Sequence, residues 1–227
     1  MKGFVREIFT SIQGEGIKVG QRQTFIRFLG CNLSCNYCDT PEAQAKDGCF
    51  VYHGKIYNNP VEVDFLLDKV DEKIVSLTGG EPLLQLDFLS ALCKELKKAG
   101  KKIYLDTNAT LPDALKKAIK YADIISLDFK IPTATGRPKL WKEHRECLRI
   151  ASAKEVFVKI VINENLIPGE LNKVCDIIAG VDKKIPLVIQ PVSNRPLPNL
   201  LDTQKKALKY LDDVRIIPQV HKYLGLD

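Results

Sequence analysis

The chain has 227 residues, enough for one substantial core, and its 45% hydrophobic and 27% charged residues are those of a globular protein, not a disordered or fibrous one. No apolar run reaches the ~20 residues of a membrane span, and the first seven residues carry no apolar signal segment, so a cytoplasmic location is expected. The net charge of +6 comes with lysines on helical faces, such as Lys94, Lys97, Lys98, Lys101 and Lys102, and no nucleic-acid motif accompanies them. Neither nucleic acid nor membrane is therefore expected as a direct partner.

In chain order, Glu7-Ile8-Phe9-Thr10-Ser11-Ile12-Gln13-Gly14-Glu15-Gly16 reads as a compact loop in which two glycines flank a carboxylate. Its donors and acceptors suit the edge of a planar heterocycle, and equally a structural turn. A predicted strand at 24–29 runs straight into Gly30-Cys31-Asn32-Leu33-Ser34-Cys35-Asn36-Tyr37-Cys38-Asp39-Thr40. Residues 49–57 then read as a small hairpin insertion across the two-residue turn His53-Gly54. A helix at 63–71 precedes a strand at 74–77, which leads into Thr78-Gly79-Gly80-Glu81-Pro82. In the helix predicted at 86–99, Phe88, Leu89, Leu92, Cys93 and Leu96 share one face, and Gly100 ends it. Strands at 102–106, 124–127, 156–162, 187–190 and 214–217 alternate with helices at 111–121, 140–151, 170–179 and 203–211. This alternation predicts an α/β fold of βαβ units with parallel strands in one domain, 1–227. About six units are too few for a closed eightfold barrel, so a partial (β/α)6-type barrel is expected, with ligands at the C-terminal strand ends.

Seven cysteines is an odd number, and three of them lie within eight residues, which fits a reducing compartment and one metal site better than a disulfide framework. Cys93 and Cys175 fall among helical apolar residues and read as buried structural thiols, while Cys49 and Cys147 have no assigned role. The C-x3-C-x2-C loop formed by Cys31, Cys35 and Cys38 offers three thiolates to a cluster. A [4Fe–4S] cubane so held keeps one iron open for a ligand. A zinc site would want a fourth ligand, and Cys49 and His53 lack the spacing for it. His53 and His144 read as ordinary histidines.

The cysteine loop, with Tyr37 before its last cysteine and Thr78-Gly79-Gly80-Glu81-Pro82 about 40 residues later, resembles the radical S-adenosylmethionine superfamily. That resemblance implies a [4Fe–4S] cluster on Cys31, Cys35 and Cys38, S-adenosylmethionine on the open iron, and release of a 5′-deoxyadenosyl radical. It also implies Tyr37 beside the adenine and Gly79, Gly80 and Glu81 at the methionine amino group. The Glu7–Gly16 segment, Phe25-Ile26-Arg27-Phe28-Leu29-Gly30-Cys31-Asn32-Leu33, Cys38-Asp39-Thr40 and Pro218-Gln219-Val220-His221-Lys222-Tyr223-Leu224 resemble the 7-carboxy-7-deazaguanine synthase family. Membership would imply conversion of 6-carboxy-5,6,7,8-tetrahydropterin to 7-carboxy-7-deazaguanine with loss of ammonia, on the route to deazapurine nucleosides of tRNA.

By the same resemblance, Ile12, Gln13, Gly14, Glu15, Arg27, Thr78, His221 and Asp227 contact the pterin, Arg27 being suited to both oxygens of its carboxylate. Cys38, Asp39, Ser126, Leu127, Asp128, Gln190, Pro191, Val192 and Ser193 join the S-adenosylmethionine site. Thr40 holds Mg²⁺, although it is also an N-cap candidate ahead of Pro41. A reductase or a flavodoxin- or ferredoxin-type electron donor and a homodimer are implied as well. Two segments depart from the family pattern, Asp106-Thr107-Asn108 and Ser126-Leu127-Asp128-Phe129-Lys130. The second is closer to glycyl-radical activating enzymes, which keeps that activity, or another substrate, as an alternative. A non-catalytic iron–sulfur module leaves Gly79–Pro82 and the Gln13 loop without a task.

Overall fold

In a computed structural model, which describes residues 1–192 and 196–226, the β-branched runs form one large sheet and the amphipathic stretches cover it. The strands are β1 (Lys2–Gly3), β2 (Val5–Ile12), β3 (Arg22–Phe28), β4 (Phe50–Tyr52), β5 (Lys55–Tyr57), β6 (Val61–Glu62), β7 (Ile74–Gly79), β8 (Lys102–Thr107), β9 (Ile124–Phe129), β10 (Glu155–Ile162), β11 (Leu187–Pro191) and β12 (Val214–Ile216). The helices are α1 (Val63–Leu67), α2 (Leu86–Lys98), α3 (Pro112–Ala118), α4 (Pro132–Thr135), α5 (Trp141–Ala151), α6 (Pro168–Ala179), α7 (Leu200–Ala207) and α8 (Val220–Tyr223). Ten strands pair in the order β12-β11-β10-β9-β8-β7-β3-β2-β4-β5. From β3 to β12 each neighbouring pair is parallel, so helical crossovers build the expected open (β/α)6-type arrangement.

All seven predicted parallel strands are present. The helix expected at 63–71 stops at Leu67, because its end tightens into i→i−3 bonds from Lys69 N–H to Leu66 O (3.0 Å) and Val70 N–H to Leu67 O (3.1 Å). The segment read as a loop from Glu7 is instead mostly β2, antiparallel to β3. Its core residues Val5 and Ile8 stand three apart because the register shifts between Val5 and Glu7, and that bulge hides the period of two. The hairpin forms as expected, with His53 (φ 48°) and Gly54 (φ 72°) giving the primed turn that matches strand twist. Its strand β4 pairs with β2 and Phe50 stacks on Tyr57 in the core, so the insertion extends the sheet edge and does not cover the site.

Alternation along the parallel strands sorts two faces. Leu77, Leu105, Leu127, Ile160 and Ile189 point toward the helices and join the main core with Leu92, Leu148 and Ile178. On the other face Tyr104, Ile124, Phe157 and Val188 form an apolar floor inside the partial barrel, with Ile17 packed against it. Two to four residues further along the same strands come Asp106, Asp128, Lys159 and Gln190, a polar layer above that floor. The C-terminal strand ends thus carry the chemistry, as the architecture requires.

Cys93, Cys147 and Cys175 are buried structural thiols, and Cys49 is exposed. His144 is wholly buried against Phe129 (4.5 Å between ring centres). Its Nε2 accepts from Lys130 N–H (3.0 Å), which leaves Nδ1 to donate to Ala109 O (3.0 Å). Burial pushes its pKa down to about 4, so the unfolded chain binds the extra proton between about pH 6.5 and 4 and stability falls over that window on acidification. The advantage of wild type over His144→Gln in urea unfolding should therefore shrink by about 2–3 kcal/mol between pH 7.5 and 4. A constant difference would refute this role for His144.

Candidate active site

The strand ends open into one cavity, and the motifs that lie far apart in sequence meet there. Strand β3 delivers Arg27 and runs on into Cys31, Cys35, Tyr37, Cys38, Asp39 and Thr40, all of which line the cavity. Thr78, Gly79 and Gly80 enter from β7, Asp128 from β9, and Gln190 and Val192 from the end of β11. Ile12 enters from the end of β2, Gln13, Gly14 and Glu15 from the loop after it, and His221 from α8.

Glycine is required at three of these positions; at Gly79 (φ 123°) a Cβ would stand 2.4 Å from the Phe28 backbone N and O. A Cβ on Gly80 would stand 2.0 Å from Gly30 O, so only glycine lets this turn approach the strand that feeds the cysteine loop. A Cβ on Gly14 would stand 1.7 Å from His221 Nδ1, and Val220 N–H donates to Gly14 O (2.9 Å). The C-terminal helix is thereby laid over the Gln13 loop.

That loop is anchored by charge. Glu15 reaches into the barrel to an ion pair with Lys159, and its Oε1 also accepts from Gln190 Nε2 (3.1 Å) and Gln219 Nε2 (2.7 Å). Burial opposes ionisation of Glu15, but Lys159 and the Gln219 hydrogen bond hold its pKa below the usual carboxylate value. Asp128 is likewise buried, and Lys130 (2.9 Å) and Lys159 (3.2 Å) hold its pKa down. Lys130 also lies over the Tyr37 ring at 5.3 Å. Asp39 is lowered to about 2; burial would raise it, but Gln219 (2.7 Å) and Lys222 (3.3 Å) stabilise the anion.

Arg27 Nε donates to Glu7 across the β2–β3 pair (2.6 Å), and its Nη1 lies 3.4 Å from Thr40 Oγ1. Thr40 occupies the N-cap position before Pro41 but makes no capping bond; its hydroxyl donates to Asp39 Oδ1 (3.2 Å). The N-cap alternative for the Thr40 side chain is thereby replaced by an orientation toward the cavity. Thr78 Oγ1 donates to Asp106 Oδ2 (3.1 Å).

Four expected residues stand apart from the cavity wall. Glu81 is wholly buried behind it and accepts from Leu83 N–H (3.1 Å), Thr107 Oγ1 (2.8 Å) and Asn108 N–H (2.7 Å). Burial nevertheless pushes its pKa up to about 7. It therefore fixes the Gly80 turn to the end of β8 and is spent on protein donors, not offered to an ammonium group. Leu127 points into the helix-facing core, and Ser126 and Pro191 are buried within their strands. Ser193 and Asp227 lie outside the described residues.

Lys159, Asn32, Asn108, Gln219 and Lys222 join the site without a signal that assigns them a role in the sequence, Lys159 excepted. Lys159 did leave a signal, as the one charge inside the apolar run 156–162. Its partner Glu15 lies 144 residues away, so the pairing exists only in the fold.

A family model described as the Radical SAM superfamily matches residues 25–178. A 7-carboxy-7-deazaguanine synthase of Geobacter sulfurreducens is 39% identical, covering 97% of this chain and 96% of the relative. One from Archaeoglobus fulgidus is 36% identical over the full length of both. The crystal structure of QueE from Escherichia coli shares the fold with a TM-score of 0.68 at 20% identity, covering 97% of this chain and 95% of that one. The chain belongs to the radical S-adenosylmethionine superfamily and, within it, to the 7-carboxy-7-deazaguanine synthase family of enzymes.

Proposed function

We propose that the protein converts 6-carboxy-5,6,7,8-tetrahydropterin to 7-carboxy-7-deazaguanine with loss of ammonia, as the relatives' name suggests. In this reading it is a cytoplasmic homodimer, takes electrons from a reductase or a flavodoxin- or ferredoxin-type donor, and feeds deazapurine nucleosides of tRNA.

The superfamily implies a [4Fe–4S] cluster and S-adenosylmethionine, and the residues fit both. Cys31, Cys35 and Cys38 face one cavity from a single loop. Among the described residues no three His, Cys, Asp or Glu side chains gather tightly enough for a single metal ion. A cubane takes each thiolate on a different iron, so its ligands stand further apart than those of one ion. Burial raises the Cys31 and Cys35 thiols, a tendency that bound iron reverses by holding the thiolate. For S-adenosylmethionine the fit rests on two buried acceptors of the cavity wall, Asp128 Oδ1 and Gln190 Oε1, which have no hydrogen-bond partner among the described residues. Each suits an ammonium or hydroxyl donor. When bound, the cluster and S-adenosylmethionine supply a carbon-centred radical that removes a hydrogen from the pterin ring.

The observation that carries the substrate reading is the loop Gln13–Glu15, locked across the cavity by Lys159 and lying beside Arg27 and His221. Gln13 Oε1 accepts from Glu15 N–H (3.1 Å), Gln13 N–H donates to Gln21 O (2.7 Å) and Gln13 O accepts from Gly20 N–H (2.8 Å), bonds that hold the loop in shape at the cavity wall. Arg27, with Nε fixed by Glu7, keeps an Nη edge for the substrate carboxylate. Thr40 Oγ1, free of capping and next to Asp39, supports Mg²⁺ bound chiefly by water and substrate oxygens. The α8 helix packs over Gly14 and brings His221 to the cavity wall beside the Gln13 loop, a small-molecule lining that supports the pterin reading.

Anaerobically reconstituted protein given the pterin, S-adenosylmethionine, reductant and Mg²⁺ should form the deazaguanine, detected by mass, and chelation of Mg²⁺ should lower the rate. Formation of 5′-deoxyadenosine with the pterin untouched would contradict the substrate assignment.

A further inference from the structure

At the end of β8 the side chain of Asn108 is 6% exposed and held from three directions. Its backbone N–H donates to Glu81 Oε2 (2.7 Å). Its Oδ1 accepts from Thr110 N–H (3.2 Å) and Thr110 Oγ1 (2.6 Å). A backbone N–H can only donate, so the amide orientation is fixed: oxygen toward Thr110, nitrogen away from it. Nδ2 then donates one proton to Asn32 Oδ1 (2.8 Å), and Asn32 Nδ2 donates to Thr110 Oγ1 (2.8 Å). Three side chains thus close a ring of hydrogen bonds in which each supplies what the next needs.

The ring leaves one proton over. Asn108 Nδ2 carries two, Asn32 takes one, and the nitrogen stands 4.0 Å from Cys31 Sγ. The same sulfur accepts from Leu33 N–H (3.4 Å). Cys31 is one of the three thiolates assigned above to the cluster, so a fixed side-chain donor is aimed at a cluster ligand.

The geometry points to Asn108 as a positioning residue that raises the reduction potential of the cluster by donating to the Cys31 sulfur. Reduction adds negative charge, part of which spreads onto the thiolates, and a donor there stabilises the reduced state more than the oxidised one. Asn32 and Thr110 serve by holding the amide in place. The inference rests on the cluster reading, and its test separates the two.

Full-length wild type, Asn108→Ala and Asn108→Asp would be reconstituted anaerobically, their iron and sulfide measured, and the cluster titrated potentiometrically by EPR without substrate. At the wild-type midpoint the ratio of reduced to oxidised cluster in Asn108→Ala should fall at least threefold, ~28 mV at 59 mV per tenfold for one electron. Asn108→Asp should fall further, because a carboxylate oxygen then faces the sulfur. Variants that load iron fully and titrate with wild type would overturn the inference while leaving the cluster in place. If Asn108→Ala does not load, Asn108→Asp decides alone, since it keeps the side-chain shape and the backbone bond to Glu81. Failure of both variants to hold iron would assign Asn108 a structural role instead, and a wild type without a cluster would overturn both readings.

Discussion

A Lys159→Met protein should be less stable to urea than wild type by about 3–5 kcal/mol, the cost of leaving a buried carboxylate without its cation. Lys159 is 5% exposed and joins Glu15, from the loop after β2, to Asp128, at the end of β9. Asp128 would keep Lys130, but among the described residues Glu15 would keep only the neutral donors Gln190 and Gln219. The acid dependence gives a second readout. In wild type the Glu15 and Asp128 pKa values are held below normal, so their contribution is complete above about pH 4.5 and is lost as pH falls through the folded values. In Lys159→Met burial and the nearby Asp39 carboxylate raise the Glu15 pKa against the Gln219 hydrogen bond, so acid relieves the variant while it weakens wild type. The stability gap should therefore narrow below pH 5. Adding Glu15→Gln to Lys159→Met should cost far less than the sum of the single changes, which a double-mutant cycle measures. A single variant as stable as wild type, or strict additivity, would remove Lys159 as the anchor of the substrate loop.

Cys35→Ala should abolish the cluster and all radical chemistry while leaving the fold intact. Cys35 is only partly buried and belongs to a loop outside the hydrophobic core, so its loss opens no cavity there. Reconstitution should give no iron stoichiometry near four and no charge-transfer absorption. Far-UV circular dichroism and the urea midpoint should stay close to those of the wild-type protein without iron. A fully loaded, active Cys35→Ala protein would overturn the ligand assignment.

Much of the scaffold was legible because its signals are local. Each parallel strand is a short β-branched run closed by turn residues, and each helix shows its apolar face within one window, as in Phe88 to Leu96. The cysteine loop and the Gly79–Gly80 turn were legible for the same reason, each being contiguous and placed at a strand end. β2 escaped because the bulge between Val5 and Glu7 breaks its alternation. Glu81 looked available to a ligand because its three donors come from Leu83 and from residues 107 and 108, the latter on another strand. The pairs Glu15–Lys159 and Asn108–Cys31 join residues 144 and 77 positions apart, and a single sequence carries no mark of either pairing. Propensity and periodicity report what a residue does within a few turns of chain; charge pairing across a barrel is decided by closure of the sheet.

Membership of the 7-carboxy-7-deazaguanine synthase family implies that the pterin ring contracts by radical chemistry, that the hydrogen taken from it is returned, and that S-adenosylmethionine is thereby reused. The most direct measurement supplies the reduced, anaerobic enzyme with excess 6-carboxy-5,6,7,8-tetrahydropterin and Mg²⁺ and a sub-stoichiometric amount of S-adenosylmethionine, then quantifies 7-carboxy-7-deazaguanine and 5′-deoxyadenosine by mass. Product in molar excess over the S-adenosylmethionine supplied is expected, with little 5′-deoxyadenosine. Consumption of S-adenosylmethionine to 5′-deoxyadenosine with no deazaguanine formed would contradict it.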